Sequence, residues 1–249
     1  GIDTSFYGSG CVQSTQGYIL GIKNGKHQVF FDSTGQLRKE ENYLNGKLNG
    51  LVQEYNRSGD TLLYMNYAQD IPHGVQRTYY PDGKRFKVIS YKNGLLDGSH
   101  LTYTAEGKLE LKLSYKEGKK DGVFIFYHDN EKEAGKETWS LDLKNGEFIT
   151  YNEEGKILKQ GTYKKNVAVG EHNVFDVKGK LIHQTIYDKK GIKTYEMEVD
   201  EYGDQKVLYS TTGPAKPSGI EEDDDPKNIE PANDKKNKRK KRKERRKKE

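Results

Sequence analysis

Read in steps of 24, the chain aligns Gly50, Gly74, Gly98, Gly122, Gly146 and Gly170 without an insertion. Aromatic residues keep the same beat in two rows. One runs Phe31, Tyr55, Tyr79, Tyr103, Tyr127, Tyr151 and Phe175; the other runs Tyr43, Tyr67, Tyr91, Tyr115, Trp139, Tyr163 and Tyr187. A fixed period of this length marks stacked supersecondary units, each too small to bury its apolar surface alone. Only 32% of the 249 residues are apolar and 33% are charged, so the rows read as the material buried between neighbouring units. Burying one ring contributes roughly 1.5–3 kcal/mol, which lets rings from successive hairpins, leaning on one another, hold a sheet with few aliphatics.

The residues between the rows specify turns and strands. Asn49-Gly50, Asp97-Gly98, Asp121-Gly122 and Asn145-Gly146 read as tight hairpin turns, because this dipeptide takes positive φ at low cost. A second turn recurs at Gly35, Gly59, Gly83, Gly107, Gly155, Gly179 and Gly203. Gly46, Asp70, Gly94, Gly118, Asp142 and Asn166 share a third position, and all tolerate a left-handed backbone. Between turns lie short runs rich in Tyr, Val, Ile, Thr and Phe, such as 123–127 and 148–151, with no helical spacing anywhere in 17–212. The expected fold is all-β: an elongated, single-layer antiparallel β-meander with two strands per repeat, each repeat advancing about 10 Å.

The expected organisation is an N-terminal capping unit over 1–24, repeats over 25–187, a degenerate C-terminal capping unit over 188–212 and a tail over 213–249. In the first unit Tyr7 and Ile19 keep phase while Cys11 stands in the glycine slot. One internal unit departs: Glu131 replaces glycine, which reads either as drift, with the turn moved to Asp129-Asn130 or Gly135, or as a bulge where a partner is read.

These units resemble MORN repeats, in the bacterial variant form where Tyr-x-x-Gly-x-x-x-Gly precedes an aromatic residue and a glycine turn. The resemblance spans about residues 25–187. It is carried by Tyr67, Asp70 and Gly74, by Tyr91, Gly94, Gly98, Tyr103 and Gly107, and by Tyr115, Gly118, Gly122 and Tyr127. It implies a twisted, single-layer meander serving as an interaction or scaffolding module, and some bacterial members carry an antitoxin label. Function follows only loosely from such a fold.

Charge is segregated. Residues 235–249 hold twelve Lys or Arg against two Glu, residues 213–234 hold seven acidic residues against two Lys, and residues 1–212 balance at 29 of each sign. Low hydrophobicity and blocks of like charge predict disorder for 213–249. The basic block, with Lys238, Arg239, Lys240, Lys241, Arg242, Lys243, Arg245 and Arg246 at its centre, is the candidate for electrostatic attachment. It suits anionic lipid, nucleic acid held by counterion release, or a solubilising role. Gly1 in place of Met points to a removed leader or to an expression remnant; a removed leader would make this an envelope or secreted protein, with the cytoplasm as the alternative.

Catalytic and metal constellations are not expected. Cys11 is the lone cysteine, and of the six histidines only His100 and His172 share a repeat position, three units or roughly 30 Å apart. The histidines are expected to be exposed. The pairs Glu40-Glu41 and Glu153-Glu154 place neighbours on opposite strand faces or in a turn, so neither converges on a substrate. The chain is therefore expected to have no cofactor and no enzymatic activity. Most ring positions should be core, but a single-layer sheet has two faces, so Tyr55, Tyr79, Tyr103, Tyr127, Trp139 and Tyr151 are the candidate partner-binding residues. The reading is a scaffold for a protein partner; the alternatives are a membrane or nucleic-acid binder acting through the basic block, or an antitoxin-like protein. Open sheet edges leave a homodimer possible.

Overall fold

The computed structural model describes residues 1–211, and the expectations for 213–249, including all eight central basic residues, lie outside them. The described residues form one open sheet of twenty strands with no helix. In chain order these are β1 (Ile2–Phe6), β2 (Val12–Ile19), β3 (Ile22–Phe30), β4 (Leu37–Leu44), β5 (Lys47–Leu48), β6 (Gly50–Tyr55), β7 (Thr61–Ala68), β8 (Ile71–Tyr79), β9 (Arg85–Lys92) and β10 (Leu95–Tyr103). They continue as β11 (Leu109–Lys116), β12 (Lys119–Lys120), β13 (Gly122–Tyr127), β14 (Glu133–Ser140), β15 (Leu143–Tyr151), β16 (Ile157–Lys164), β17 (Val167–Phe175), β18 (Leu181–Tyr187), β19 (Lys193–Val199) and β20 (Gln205–Ser210). Every pairing is antiparallel and joins strands adjacent in the chain, β5 with β6 and β12 with β13 being two halves of one interrupted strand.

Two kinds of turn alternate, and one sits where the sequence did not place it. The tight hairpins are at Leu20-Gly21, Asn45-Gly46, Gln69-Asp70, Asn93-Gly94, Glu117-Gly118, Leu141-Asp142 and Lys165-Asn166, with φ of both residues between 48° and 82°. That is the two-residue turn whose twist matches the flanking strands. Gly50, Gly98, Gly122 and Gly146 are not turn residues. They lie at positive φ four residues further on, in a bulge that shifts the strand register by two, so that 97–99 lie opposite Ser90 and 145–147 opposite Thr138. At the opposite edge each loop closes around the second glycine, as where Gly83 N–H donates to Tyr80 O at 2.9 Å and Tyr80 N–H donates to Lys84 O at 2.8 Å. Glu131 keeps this geometry: its N–H donates to His128 O at 2.9 Å and its φ is 64°, so the turn has not moved to Asp129-Asn130 or Gly135.

The tight turns stack like steps. Gly46 N–H donates to Lys23 O, Gly94 N–H to Pro72 O and Asn166 N–H to Lys144 O, at 2.8–2.9 Å. Where the second turn residue is Asp or Asn, its side chain adds a bond: Asp70, Asp142 and Asn166 accept from the N–H groups of Leu48, Lys120 and Lys144 at 2.7–2.9 Å. This explains why only Gly, Asp and Asn occupy that position.

The N-terminal unit runs one residue out of phase. Gly10, Tyr18, Gly21 and Gly25 take the slots that Gly35, Tyr43, Gly46 and Gly50 fill 25 residues later, the extra residue being absorbed in the 31–36 loop, where Ser33 has φ 68°. Cys11 therefore does not occupy the glycine slot. At the other end the tight turn after Tyr187 is replaced by a wider loop, in which Gly191 N–H donates to Asp188 O.

Candidate interaction surface

Strand alternation and the cross-strand partners sort the side chains onto two faces. On β4, Lys39, Glu41 and Tyr43 share one face, and His27 of β3 lies directly opposite Glu41. Val52 and Glu54 of β6 join them, because Glu54 pairs with Lys39. Glu40, Gln53 and Tyr55 occupy the other face. The two aromatic rows thus lie back to back. Five of the six candidate partner-binding residues, Tyr55, Tyr79, Tyr103, Tyr127 and Tyr151, form one half-buried row on the second face, while Trp139 stands on the first face among the Tyr43 row.

Along the repeats the first face is the more buried, whereas at the C-terminal end Gln184, Tyr195 and Met197 are buried on the second. Val52, Met65 and Phe124, and the polar Gln16, Glu41, Thr102 and Thr185, are buried on the first face or at its ends. Rings of the row do not lean directly on one another, being two strands apart. An aromatic side chain from the intervening strand sits between them. Phe124 lies 5.7 Å from both Tyr115 and Trp139, and His172 lies 5.4 Å from Tyr163 and 5.1 Å from Tyr187. With the shifted N-terminal phase, His27, His100 and His172 all hold this inserted position, so histidine serves as a core ring. Of the six histidines only His73 is exposed. The sequence signal was the column Val52, Gln76, His100, Phe124, Phe148 and His172, overlooked because its members differ in chemistry.

Two carboxylates at one repeat position organise the polar part of this face. Glu41 meets Lys39 at 2.8 Å, His27 Nδ1 at 2.9 Å and the Tyr43 hydroxyl, which donates at 3.1 Å. Burial pushes its carboxyl up, yet the bonds from His27, Lys39 and Tyr43 and the Lys39 charge hold it below the usual range. Burial first, then the neighbouring Glu41, pushes Tyr43 up to about 12. Four units on, Glu137 accepts from Trp139 Nε1 at 3.1 Å and pairs with Lys144 at 2.8 Å. The ammonium groups of Lys120 and Lys144 lie 4.4 and 5.5 Å from the Trp139 ring centre. Trp139 is thereby engaged within the sheet.

On the second face burial raises Tyr55, with Glu40 adding to it and Lys26 opposing. Arg77 stacks 5.3 Å over Tyr64, and Gln28 and Lys26 bind Glu40 at 2.7 and 2.8 Å. A shallow depression of about 230 Å³ is lined by Glu147, Phe148, Ile149, Gln160, Gly161, Thr162, Glu171 and Asn173. Among the described residues no group of three His, Cys, Asp or Glu side chains is placed to hold a metal ion. What this face offers is a row of rings with polar tips, bordered by charges of both signs.

The comparisons with known proteins bear on the repeats. The family model for the MORN repeat variant matches residues 24–45, 72–93, 96–117 and 144–165, each match covering most of two strands and the wide loop between them and ending at the first residue of a tight turn. None of the curated proteins matches this sequence. Among solved structures, a TcdB2-TccC3 structure is similar over 88% of this chain and 16% of its own at 11% identity and a TM-score of 0.17. The Photorhabdus luminescens Tc holotoxin pore is similar over 80% and 13% at 12% identity and a TM-score of 0.16. A protein of unknown function from Bacteroides fragilis is similar over 74% and 88% at 12% identity and a TM-score of 0.11. The chain spans less than a fifth of the length of the first two. The matched stretches fall in phase with the 24-residue period and carry its tyrosines and glycines, so these four units of the chain are similar to the MORN repeat variant.

Proposed function

We propose that the repeats are a non-catalytic scaffold that binds a protein partner along the Tyr55 face, with the basic segment 235–249 adding electrostatic attachment. The observation that carries this reading is the row Tyr55, Tyr79, Tyr103, Tyr127 and Tyr151, half-buried on one face at two-strand intervals. Tyrosine supplies a large rigid contact area and a polar tip at low conformational cost, which is why it is enriched at interfaces. The rings recur about 10 Å apart, and Arg77, Lys112 and Lys136 lie on the strands between or beside them, giving a partner both apolar and charged anchors.

Crosslinking and mass spectrometry on the full chain in its native cell tests this. Partner crosslinks are expected at Lys112 and Lys136, and loss of the partner is expected on combining Tyr79→Thr, Tyr103→Thr and Tyr127→Thr, changes that keep β-propensity. Retention by that triple variant, with loss on neutralising residues 238–246, would move the binding activity to the basic segment and sink the reading.

A further inference from the structure

Residues 1–211 hold four arginines, Arg38, Arg57, Arg77 and Arg85, all within a stretch two repeats long, although lysines are spread along the whole sheet. Each guanidinium lies over an aromatic ring. Arg38 and Arg57 stand 5.9 and 5.0 Å from the centre of Phe31, Arg77 stands 5.3 Å from Tyr64, and Arg85 stands 6.0 Å from Tyr103. Arg77 pairs across strands with Tyr64 and Arg85 with Tyr79, which places both on the Tyr55 face. Arg38 and Arg57 lie beside it, at the edge of the wide loops.

None of the four bonds a carboxylate or any other acceptor among the described residues. The nearby carboxylates are taken by other donors: Glu40 by Lys26 and Gln28, Asp60 by the Asn56 side chain, and Asp82 by Lys84. Arg77 and Arg85 are diagonal neighbours on β8 and β9, roughly 7 Å apart, so two positive charges sit side by side with no negative charge to offset them. A guanidinium stacked on a ring keeps its N–H edges open in its own plane, and that planar fork grips a carboxylate through two parallel bonds as an ammonium group cannot.

We infer, building on the reading of the Tyr55 face as the partner-binding face, that the partner presents an extended acidic segment to Arg77 and Arg85, with carboxylates at alternate residues. Side chains two apart in an extended chain point the same way about 6.7 Å from each other, which matches the separation of the two arginines. Lys112 and Lys136 extend the positive charge along the same face, whereas Glu147 and Glu171 reverse it further on, so the acidic segment belongs over the N-terminal units. A single-stranded nucleic acid fits this surface less well. It grips by stacking bases on open rings, and Phe31, Tyr64 and Tyr103 already carry a guanidinium.

The test uses a photoreactive peptide of about ten residues, alternating glutamate and serine, crosslinked to the full chain at about 0.15 M salt and mapped by mass spectrometry. Crosslinks to residues 235–249 serve as the internal reference, because every variant keeps that segment. Wild type is expected to show further crosslinks on β7–β10, absent with a control peptide carrying glutamine for glutamate. Arg77→Gln with Arg85→Gln is expected to lower the β7–β10 crosslinks about tenfold against the reference, with urea unfolding confirming that the pair is folded. Wild-type yield in the folded pair, or equal yield from the control peptide, would overturn the inference. A photoreactive decathymidylate is expected to mark 235–249 alone; marks on β7–β10 that the glutamine pair abolishes would assign the arginines to nucleic acid and overturn it as well. In the native cell, the glutamine pair is expected to lose the partner. A partner kept by that pair but lost by the triple tyrosine variant would sink the acidic segment and leave the reading of the face standing.

Discussion

His100 has both ring nitrogens buried without a hydrogen-bond partner, in the repeat position that Phe124 and Phe148 fill on the strands flanking Trp139. Burial, reinforced by the charge of Lys87, holds its pKa below the ordinary 6.5. The folded state thus keeps the ring neutral, while the unfolded chain takes up a proton as pH falls through 6.5. Its contribution to stability is complete above 6.5 and declines as pH drops toward the depressed folded value. His100→Phe removes two unsatisfied polar atoms and keeps the ring against Tyr115, so stability should rise by about 1–2 kcal/mol at neutral pH. Urea unfolding at pH 7.5 and 5.5 should show a smaller gap between the two conditions in the variant than in wild type. Glu131 presents a second local conflict. It holds φ 64° where Gly107 and Gly155 stand in neighbouring units, and it is exposed. Glu131→Gly should gain about 0.5–1 kcal/mol, the steric relief exceeding the added freedom of the unfolded chain, read as a higher urea midpoint. A lower midpoint would show that the glutamate side chain has a structural partner role that its exposure conceals.

Bulges and tight turns divide the work of a hairpin, and here sequence and structure part company. Asn-Gly is the strongest hairpin signal, so Asn49-Gly50 and Asn145-Gly146 drew the turn to themselves; the chain instead turns four residues earlier, at pairs as unlike as Gln69-Asp70 and Lys165-Asn166. The physical reason is that both sites require positive φ, and composition registers that demand without saying whether the chain is reversing or bulging. The period, the strands and the two rows were legible because each repeats seven times in fixed phase. The faces were not, since a one-residue bulge beside each wide loop, as where Thr102 faces Leu111 but Tyr103 faces Leu109, breaks the alternation of faces between strands, and Trp139 was grouped with the tyrosines of the other face. The inserted rings escaped because Val52, Gln76 and His100 share a place but not a chemistry. The bulge glycines also differ among themselves. A Cβ on Gly146, with φ 131°, would lie 2.8 Å from Thr138 Cβ, whereas one on Gly170, with φ 69°, meets nothing within 4 Å. Gly170→Ala should therefore cost about 1 kcal/mol, the left-handed penalty alone, and Gly146→Ala clearly more, about 2–3 kcal/mol. Equal midpoints for the two variants in urea would mean that the Thr138 contact yields freely.

A sheet in which each strand pairs only with its chain neighbours has no distant contacts to spread or absorb a local defect, so its stability should be a sum of hairpins and the interfaces between them. Gly161 is the place to test this. Its repeat position holds Met65, Ile89 and Leu113 elsewhere, but here the Phe148 and His172 rings, 5.5 Å apart, close over the backbone. A Cβ at Gly161 would lie 2.7 Å from both rings, so no larger residue fits unless they separate. Gly161→Val would break the run Phe148–Tyr163–His172–Tyr187, in which each ring is held by the next at 5.1–5.4 Å. Loss of that run removes ring contacts worth about 0.5–1.5 kcal/mol each beyond the area they bury. Amide hydrogen exchange should then show protection falling across β15–β18 while β2–β9 keep wild-type rates, because no side chain of the first units touches the damaged ones. A uniform fall along the whole sheet would instead mean that the repeats unfold as one cooperative unit, with coupling between hairpins far stronger than nearest-neighbour rings and ladders supply. Confined loss would also make the Tyr55 face separable, so that a partner gripping Tyr55, Tyr79 and Tyr103 would stay bound to a chain already open at its far end.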